Sequence, residues 1–274
     1  MSVLSSNSVE LAVHDLGGTG RELLISHATG FHGRCYIPVA DALADRFHSI
    51  AFDYRGHGDS KLPADVPVEW DRYGDDATAV AESLTRPVQA FGHSMGGACL
   101  LMAAHRDSGL FDRIVVFEPI VFPPAGIRDP ATPSPLVAGA RRRRAAFASY
   151  EEAIANYASK PPLGSFTPAA LDAYVRYGFA PGEDGQVHLK CRPETEASTF
   201  EGGPHHETWN ALPGIQVPVL VISGKVEEMQ PSNIAREVAE RLPHGEYVEL
   251  DDIDHFAPMT HPDRIADLIA GFLA

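Results

Sequence analysis

Short apolar runs recur along the chain, each closed by turn residues: ELLISHA (22–28), FHSIAFDY (47–54), RPVQAFG (86–92), RIVVFEP (113–119), VPVLVISG (217–224) and GEYVELD (245–251). They are rich in Val, Ile and Phe and nearly continuous in apolarity, as strands are when both faces of a sheet are covered. Between them, YIPVADALADRF (36–47), DDATAVAESL (75–84), ACLLMAAHR (98–106), SNIAREVAERL (232–242) and DRIADLIAGFL (263–273) carry apolar residues at spacings of three and four, the mark of helices with one buried face. The alternation predicts an α/β fold: a mostly parallel central sheet with helices on both faces. No internal repeat of fixed period interrupts it.

The pattern breaks over 120–212, where strand runs vanish and Pro, Gly and charge increase. SYEEAIANYA (149–158) and TPAALDAYVRYGF (167–179) read as helices, with Thr167 as N-cap and Pro168 at the first helical position. So long a segment is not a loop in a compact domain. The expected organisation is a core of 1–119 and 213–274 with a largely helical cap inserted at 120–212. The basic run Arg141–Arg144 reads as a solvated face of that cap.

With 274 residues the chain can bury one large core. Its net charge of −15 argues against a nucleic-acid partner, since a polyanion would be repelled. Cys35, Cys99 and Cys191 are odd in number and far apart, which fits a reducing cytoplasm better than a disulfide framework. The first residues lack a basic-then-apolar signal peptide, and no apolar stretch is long enough to cross a bilayer.

Gly-His-Ser-Met-Gly (92–96) follows a predicted strand and opens a predicted helix. A serine on so tight a turn projects its Oγ beyond the sheet edge; Gly92 and Gly96 remove side chains that would strike the opposing backbone, and Gly97 lets the helix approach the sheet. The helix N-terminus leaves unpaired N–H groups beside Ser94, and that of Met95 is placed to bind a developing oxyanion. A serine hydroxyl needs a base, and the base an orienting acid.

GHSMGG, with SHATGFHG (26–33), FDYRGHGDS (52–60) and DHFAPMTHP (254–262) in that order, resembles the α/β-hydrolase fold family over nearly the whole chain outside 120–212. The resemblance implies a second oxyanion donor after the first long strand. Here His27-Ala28-Thr29-Gly30 stands where the family has His-Gly-X, so the donor is Thr29 or Gly30. His27 is expected to brace that loop, Asp53 and Arg55 to tie a turn permitted by Gly56 and Gly58, and His93 to pack. The family's catalytic histidine matches His255 in DHF, whereas His261 falls at the start of the terminal helix. Its acid has two candidates: Glu227, in the slot after VPVLVISG, and Glu118, at the end of VVFEPI, where some members carry it. The pair His205-His206 with Glu207 is not expected to hold a metal.

The expectation is therefore a serine hydrolase of a small carboxylic ester or lactone, working through an acyl-enzyme without a cofactor. Cleavage of a C–C bond in a vinylogous diketone and ligand reception by a non-catalytic chain of the same fold are the alternatives. Phe31 and Phe122, with Phe147, Tyr157 and Phe179, are candidates to line the pocket. The expected partner is a small molecule, with neither nucleic acid nor membrane.

Overall fold

The computed structural model describes residues 1–63, 66–124, 134–228 and 230–274. Its main sheet contains β1 (Ser2–Leu4), β2 (Glu10–Gly18), β3 (Arg21–Ser26), β4 (Phe47–Phe52), β5 (Val88–His93), β6 (Phe111–Phe117), β10 (Val219–Ser223) and β11 (Gly245–Glu249) in the order β1-β2-β4-β3-β5-β6-β10-β11. Pairing is parallel from β4 to β11 and antiparallel at β1–β2 and β2–β4. This is the α/β-hydrolase fold anticipated from the alternation. The antiparallel edge is an addition, because β1 and β2 lie outside the apolar runs that predict the other strands.

The strands bury both faces, as their unbroken apolarity requires. Ala90, Ile114, Val116, Val219 and Val221 point into one core, where α2 (Trp70–Glu82), α3 (Met95–Arg106) and α9 (Ser232–Arg241) pack. Phe91, Val115, Phe117, Leu220 and Ile222, their alternating neighbours, point into the other, against α1 (Ile37–Leu43) and α11 (Pro262–Leu273). Helix α2 begins five residues before the predicted DDATAVAESL, because Trp70 and Tyr73 are buried and extend its apolar face.

Between β6 and β10 the chain forms α4 (Pro135–Arg141), α5 (Tyr150–Ala158), α6 (Pro168–Gly178), α7 (Pro193–Gly202) and α8 (Thr208–Ala211). The Thr167 hydroxyl accepts the N–H of Ala170 and caps α6, with Pro168 at its first turn. The segment also holds a small antiparallel sheet in the order β7-β9-β8, from β7 (Ala146–Phe147), β8 (Phe179–Pro181) and β9 (Val187–Leu189), strands too short to leave a periodic signal. Trp209 of α8 and the following Leu212 lie in the first of these two cores. Phe147, Tyr157 and Phe179 pack on one another and continue the same core that holds Phe91 and Phe117.

The basic run is not uniformly a solvated face. Arg141 and Arg144 make exposed ion pairs with Glu194 and Glu152. Arg143 instead turns inward to Glu196, which is 2% exposed, at 2.8 Å, and donates to the Tyr174 hydroxyl at 2.5 Å. A buried carboxylate without such a cation would be strongly destabilising.

Candidate active site

Ser94 occupies the single step between β5 and α3, with φ 56° and ψ −116°, a left-handed conformation rare for a residue with a side chain. Three backbone bonds hold it there: its N–H donates to the Phe117 carbonyl at 2.9 Å, and its own carbonyl accepts from Ala98 and Ile120, both at 3.2 Å. The flanking glycines are obligatory. A Cβ on Gly96 would lie 2.2 Å from the Ser26 carbonyl oxygen, and one on Gly92 would lie 2.7 Å from the Gly97 Cα. The Ser94 hydroxyl does not cap α3. Met95 is the first residue of α3, so its N–H has no acceptor within the helix.

His255 lies between β11 and α10 (Ala257–Thr260). Its Nδ1 is 2.5 Å from Glu118 Oε2, and Glu118 Oε1 accepts the N–H of Gly224 at 2.8 Å. Glu118 is buried at the end of β6 and, like Ser94, has a positive φ, 44°. Its N–H donates to the Ile222 carbonyl, so the neighbouring strand fixes its place. Glu227 is elsewhere: it is exposed, 3.7 Å from the Lys225 ammonium, and its N–H reaches the Ser232 hydroxyl. Of the two acids left open by the sequence, the fold brings Glu118 to His255 and leaves Glu227 in solvent. The reason is reach: the short loop after β10 turns away toward α9, while Glu118 emerges from the strand between those of Ser94 and Gly224.

The loop after β3 carries Thr29 and Gly30, both buried. Gly30 has φ 76°, and a Cβ there would meet Glu196 Oε1 at 2.4 Å, so the loop is closed down by the inserted segment. His27 braces it as expected: its Nδ1–H donates to the Ala28 carbonyl and its Nε2 accepts the N–H of Tyr54. Burial, with the neighbouring His57, holds this ring neutral, its pKa pushed down to about 3. Asp53 and Arg55 do not join each other. Asp53 accepts from Gly33, Asp59 and His14, whereas the buried Arg55 pairs with Asp76 of α2 at 2.6 Å.

Phe31 is buried beside the site, its ring 6.3 Å from that of His93, 5.3 Å from Tyr174, 6.1 Å from Phe166 and 6.4 Å from Phe256. Loop, inserted segment and the residue after His255 thus share one aromatic cluster. Phe122 is half-buried in the segment after β6. His93 does more than pack, since its ring is hydrogen-bonded at both nitrogens, to Tyr36 and to the His255 carbonyl. Nothing in the sequence singles out Tyr36; an aromatic residue in a helical pattern carries no sign of a polar task.

His206 is committed to structure: it stacks on Trp70 at 4.7 Å, with Nε2 on the Ile120 carbonyl and Nδ1 on the Thr208 hydroxyl. Among the described residues, His14, Asp53 and Asp59 offer ligand atoms close enough to converge on a cation. Asp53 already has three donors, so that cluster has little left to give.

Residues 23–268 match the model of the alpha/beta hydrolase family. The chain belongs to that family. A pimeloyl-[acyl-carrier protein] methyl ester esterase of Methylococcus capsulatus is 27% identical over 266 residues, covering 95% of this chain and 97% of that one. Two solved structures share the hydrolase fold: E-2-(acetamidomethylene)succinate hydrolase, with a TM-score of 0.80 at 22% identity over 100% of this chain and 98% of that one, and the enol-lactonase from Burkholderia xenovorans LB400, with a TM-score of 0.74 at 24% identity over 100% and 98%. This hydrolase has, among its described residues, no helix long and apolar enough to cross a membrane.

Proposed function

We propose that the protein is a serine hydrolase of small carboxylic esters or lactones, with Ser94 as nucleophile, His255 as base and Glu118 as the acid that orients it. The observation that carries this reading is the hydrogen bond from His255 Nδ1 to a buried carboxylate, in the loop adjoining a serine held at a strained strand-to-helix turn. With Nδ1–H held by Glu118, His255 presents a bare Nε2 that can take the serine proton. Ser94 Oγ then attacks the carbonyl carbon, and the tetrahedral oxyanion is held by the N–H groups of Met95 and Thr29. Collapse breaks the C–O bond, and His255 returns the proton to the leaving oxygen. Water, deprotonated by the same imidazole, releases the acid from Ser94.

Phe31 and Phe122 would line an acyl pocket roofed by the inserted segment, which favours a small substrate with an apolar part. The relatives named for a methyl ester and an enol-lactone support ester chemistry. Three free, buried cysteines support a reducing cytoplasm as the place of action.

The test is hydrolysis of p-nitrophenyl butyrate and of γ-lactones, beside a vinylogous diketone of the ring-fission type. Ester or lactone turnover that disappears in Ser94→Ala, together with fluorophosphonate labelling, is expected. Turnover of the diketone alone would transfer the reading to C–C hydrolysis. Ligand binding with neither turnover nor labelling would make the chain a receptor.

A further inference from the structure

Three hydrogen bonds run through the buried interior beside the site. The Ala28 N–H donates to the Tyr36 hydroxyl oxygen at 3.1 Å; that hydroxyl lies 2.8 Å from His93 Nδ1; and His93 Nε2 lies 2.9 Å from the His255 carbonyl oxygen. Tyr36 and His93 are both fully buried, so neither end can turn to water. The direction of every bond follows. A carbonyl oxygen only accepts, so His93 Nε2 carries the proton. Burial and the neighbouring His255 push the His93 pKa well down, so the ring is neutral and Nδ1 is a bare lone pair. The Tyr36 O–H must then donate to Nδ1, which frees its oxygen to accept from Ala28. Each group has one partner of the right kind.

We infer that Tyr36 and His93 are positioning residues that lock the oxyanion loop to the main chain of the base, across the back of the nucleophile. The inference rests on the Ser94–His255–Glu118 reading above. Ala28 immediately precedes Thr29, whose N–H is the proposed second oxyanion donor. His255 is held by Glu118 at its ring and by His93 at its backbone, and His93 is the residue next to Ser94. The relay therefore sets the spacing between the donor that receives the negative charge and the imidazole that receives the proton. Both must be correct at once in the transition state, whereas a resting substrate needs neither. Removing the Tyr36 hydroxyl would orphan the Ala28 N–H and the His93 lone pair together, so the two residues act as one unit.

The experiment compares Tyr36→Phe, His93→Gln and the double variant on p-nitrophenyl butyrate, with kcat counted per site titrated by a fluorophosphonate, beside Ser94→Ala. The glutamine amide can still reach the His255 carbonyl but offers Tyr36 no acceptor at the Nδ1 position. Expected is a fall in kcat of about tenfold or more in Tyr36→Phe with KM changed by less than about threefold, and a double variant no worse than the poorer single one. In the unaltered protein at pH 7, imidazole nitrogen NMR should find His93 neutral with its proton on Nε2. Single variants within about twofold of the parent kcat, or losses that multiply in the double, overturn the proposal. So does a proton on His93 Nδ1, which decides the matter even if the variants fold poorly. Turnover surviving in Ser94→Ala would overturn the site reading and this proposal with it; loss there alongside unchanged relay variants overturns this proposal alone.

Discussion

Glu118 Oε2 stands 2.5 Å from His255 Nδ1 across 137 positions of chain. The other oxygen of the same carboxylate is taken by the Gly224 N–H. Those two donors give the carboxylate one orientation, and with it the imidazole one tautomer. Glu118→Gln should therefore be far more damaging than its small change in shape implies. The new amide must keep its oxygen toward Gly224, which turns its NH2 toward Nδ1 and drives the histidine proton to Nε2, where it blocks proton removal from Ser94. A loss in kcat of about 10³–10⁴ is expected, against less than about twofold for the exposed Glu227→Gln, both read from steady-state ester hydrolysis. Equal, mild effects would overturn the proposal that Glu118 orients His255 for catalysis.

Gly96→Ala tests the turn itself. The added methyl carbon would sit 2.2 Å from a carbonyl oxygen of β3, so strand and helix must separate. Destabilisation of about 1–3 kcal/mol in urea unfolding is expected, with loss of fluorophosphonate labelling while the protein is still folded. Labelling at the parent rate would mean that the turn tolerates the separation and that the proposed role of Ser94 does not depend on it.

Arg143 and Glu196 form a pair with side-chain exposures of 25% and 2%. Burial pushes the Glu196 carboxyl up and the Arg143 charge pulls it down. Arg143→Met leaves the carboxylate uncompensated beneath the inserted segment and should cost about 3 kcal/mol. Adding Glu196→Gln should restore part of that, because the neutral amide needs no counter-charge. A double variant less stable than Arg143→Met, by urea midpoint, would show that the cost arises from lost packing instead.

Acid should weaken the fold well before its carboxylates titrate in bulk. Burial holds His27 at about 3 and His57 and His206 at about 4, all below the ordinary 6.5. Because the unfolded chain takes up these protons first, the stabilisation is complete above about pH 6.5. It is lost progressively as the pH falls from there toward 4, each ring giving up about 1.4 kcal/mol per pH unit. Asp76 and Glu196, raised by burial, offset part of the loss. A urea midpoint that falls between pH 7 and pH 5 is expected; one that stays flat or rises would show that these rings are not buried neutral.

The fold was legible because its signals are local. Strands covered on both faces stay apolar throughout, and helices with one buried face repeat every three or four residues. The small sheet β7-β9-β8 escaped because two- and three-residue strands have no period to detect. Arg143 escaped because a run of arginines reads as solvated until Glu196, far along the chain, arrives beside one member of it.

The sequence by itself determined the bend at Ser94, since only glycines fit so close an approach of β5, α3 and β3, and they adjoin the serine in the chain. It determined the candidate base as well, because His255 follows the last predicted strand and leads into the terminal helices. Only the tertiary structure set Glu118 rather than Glu227 beside His255, and only it joined Tyr36 to His93. Those choices depend on which strand lies beside which and on where a loop turns, and hydrophobic periodicity records burial but not neighbours.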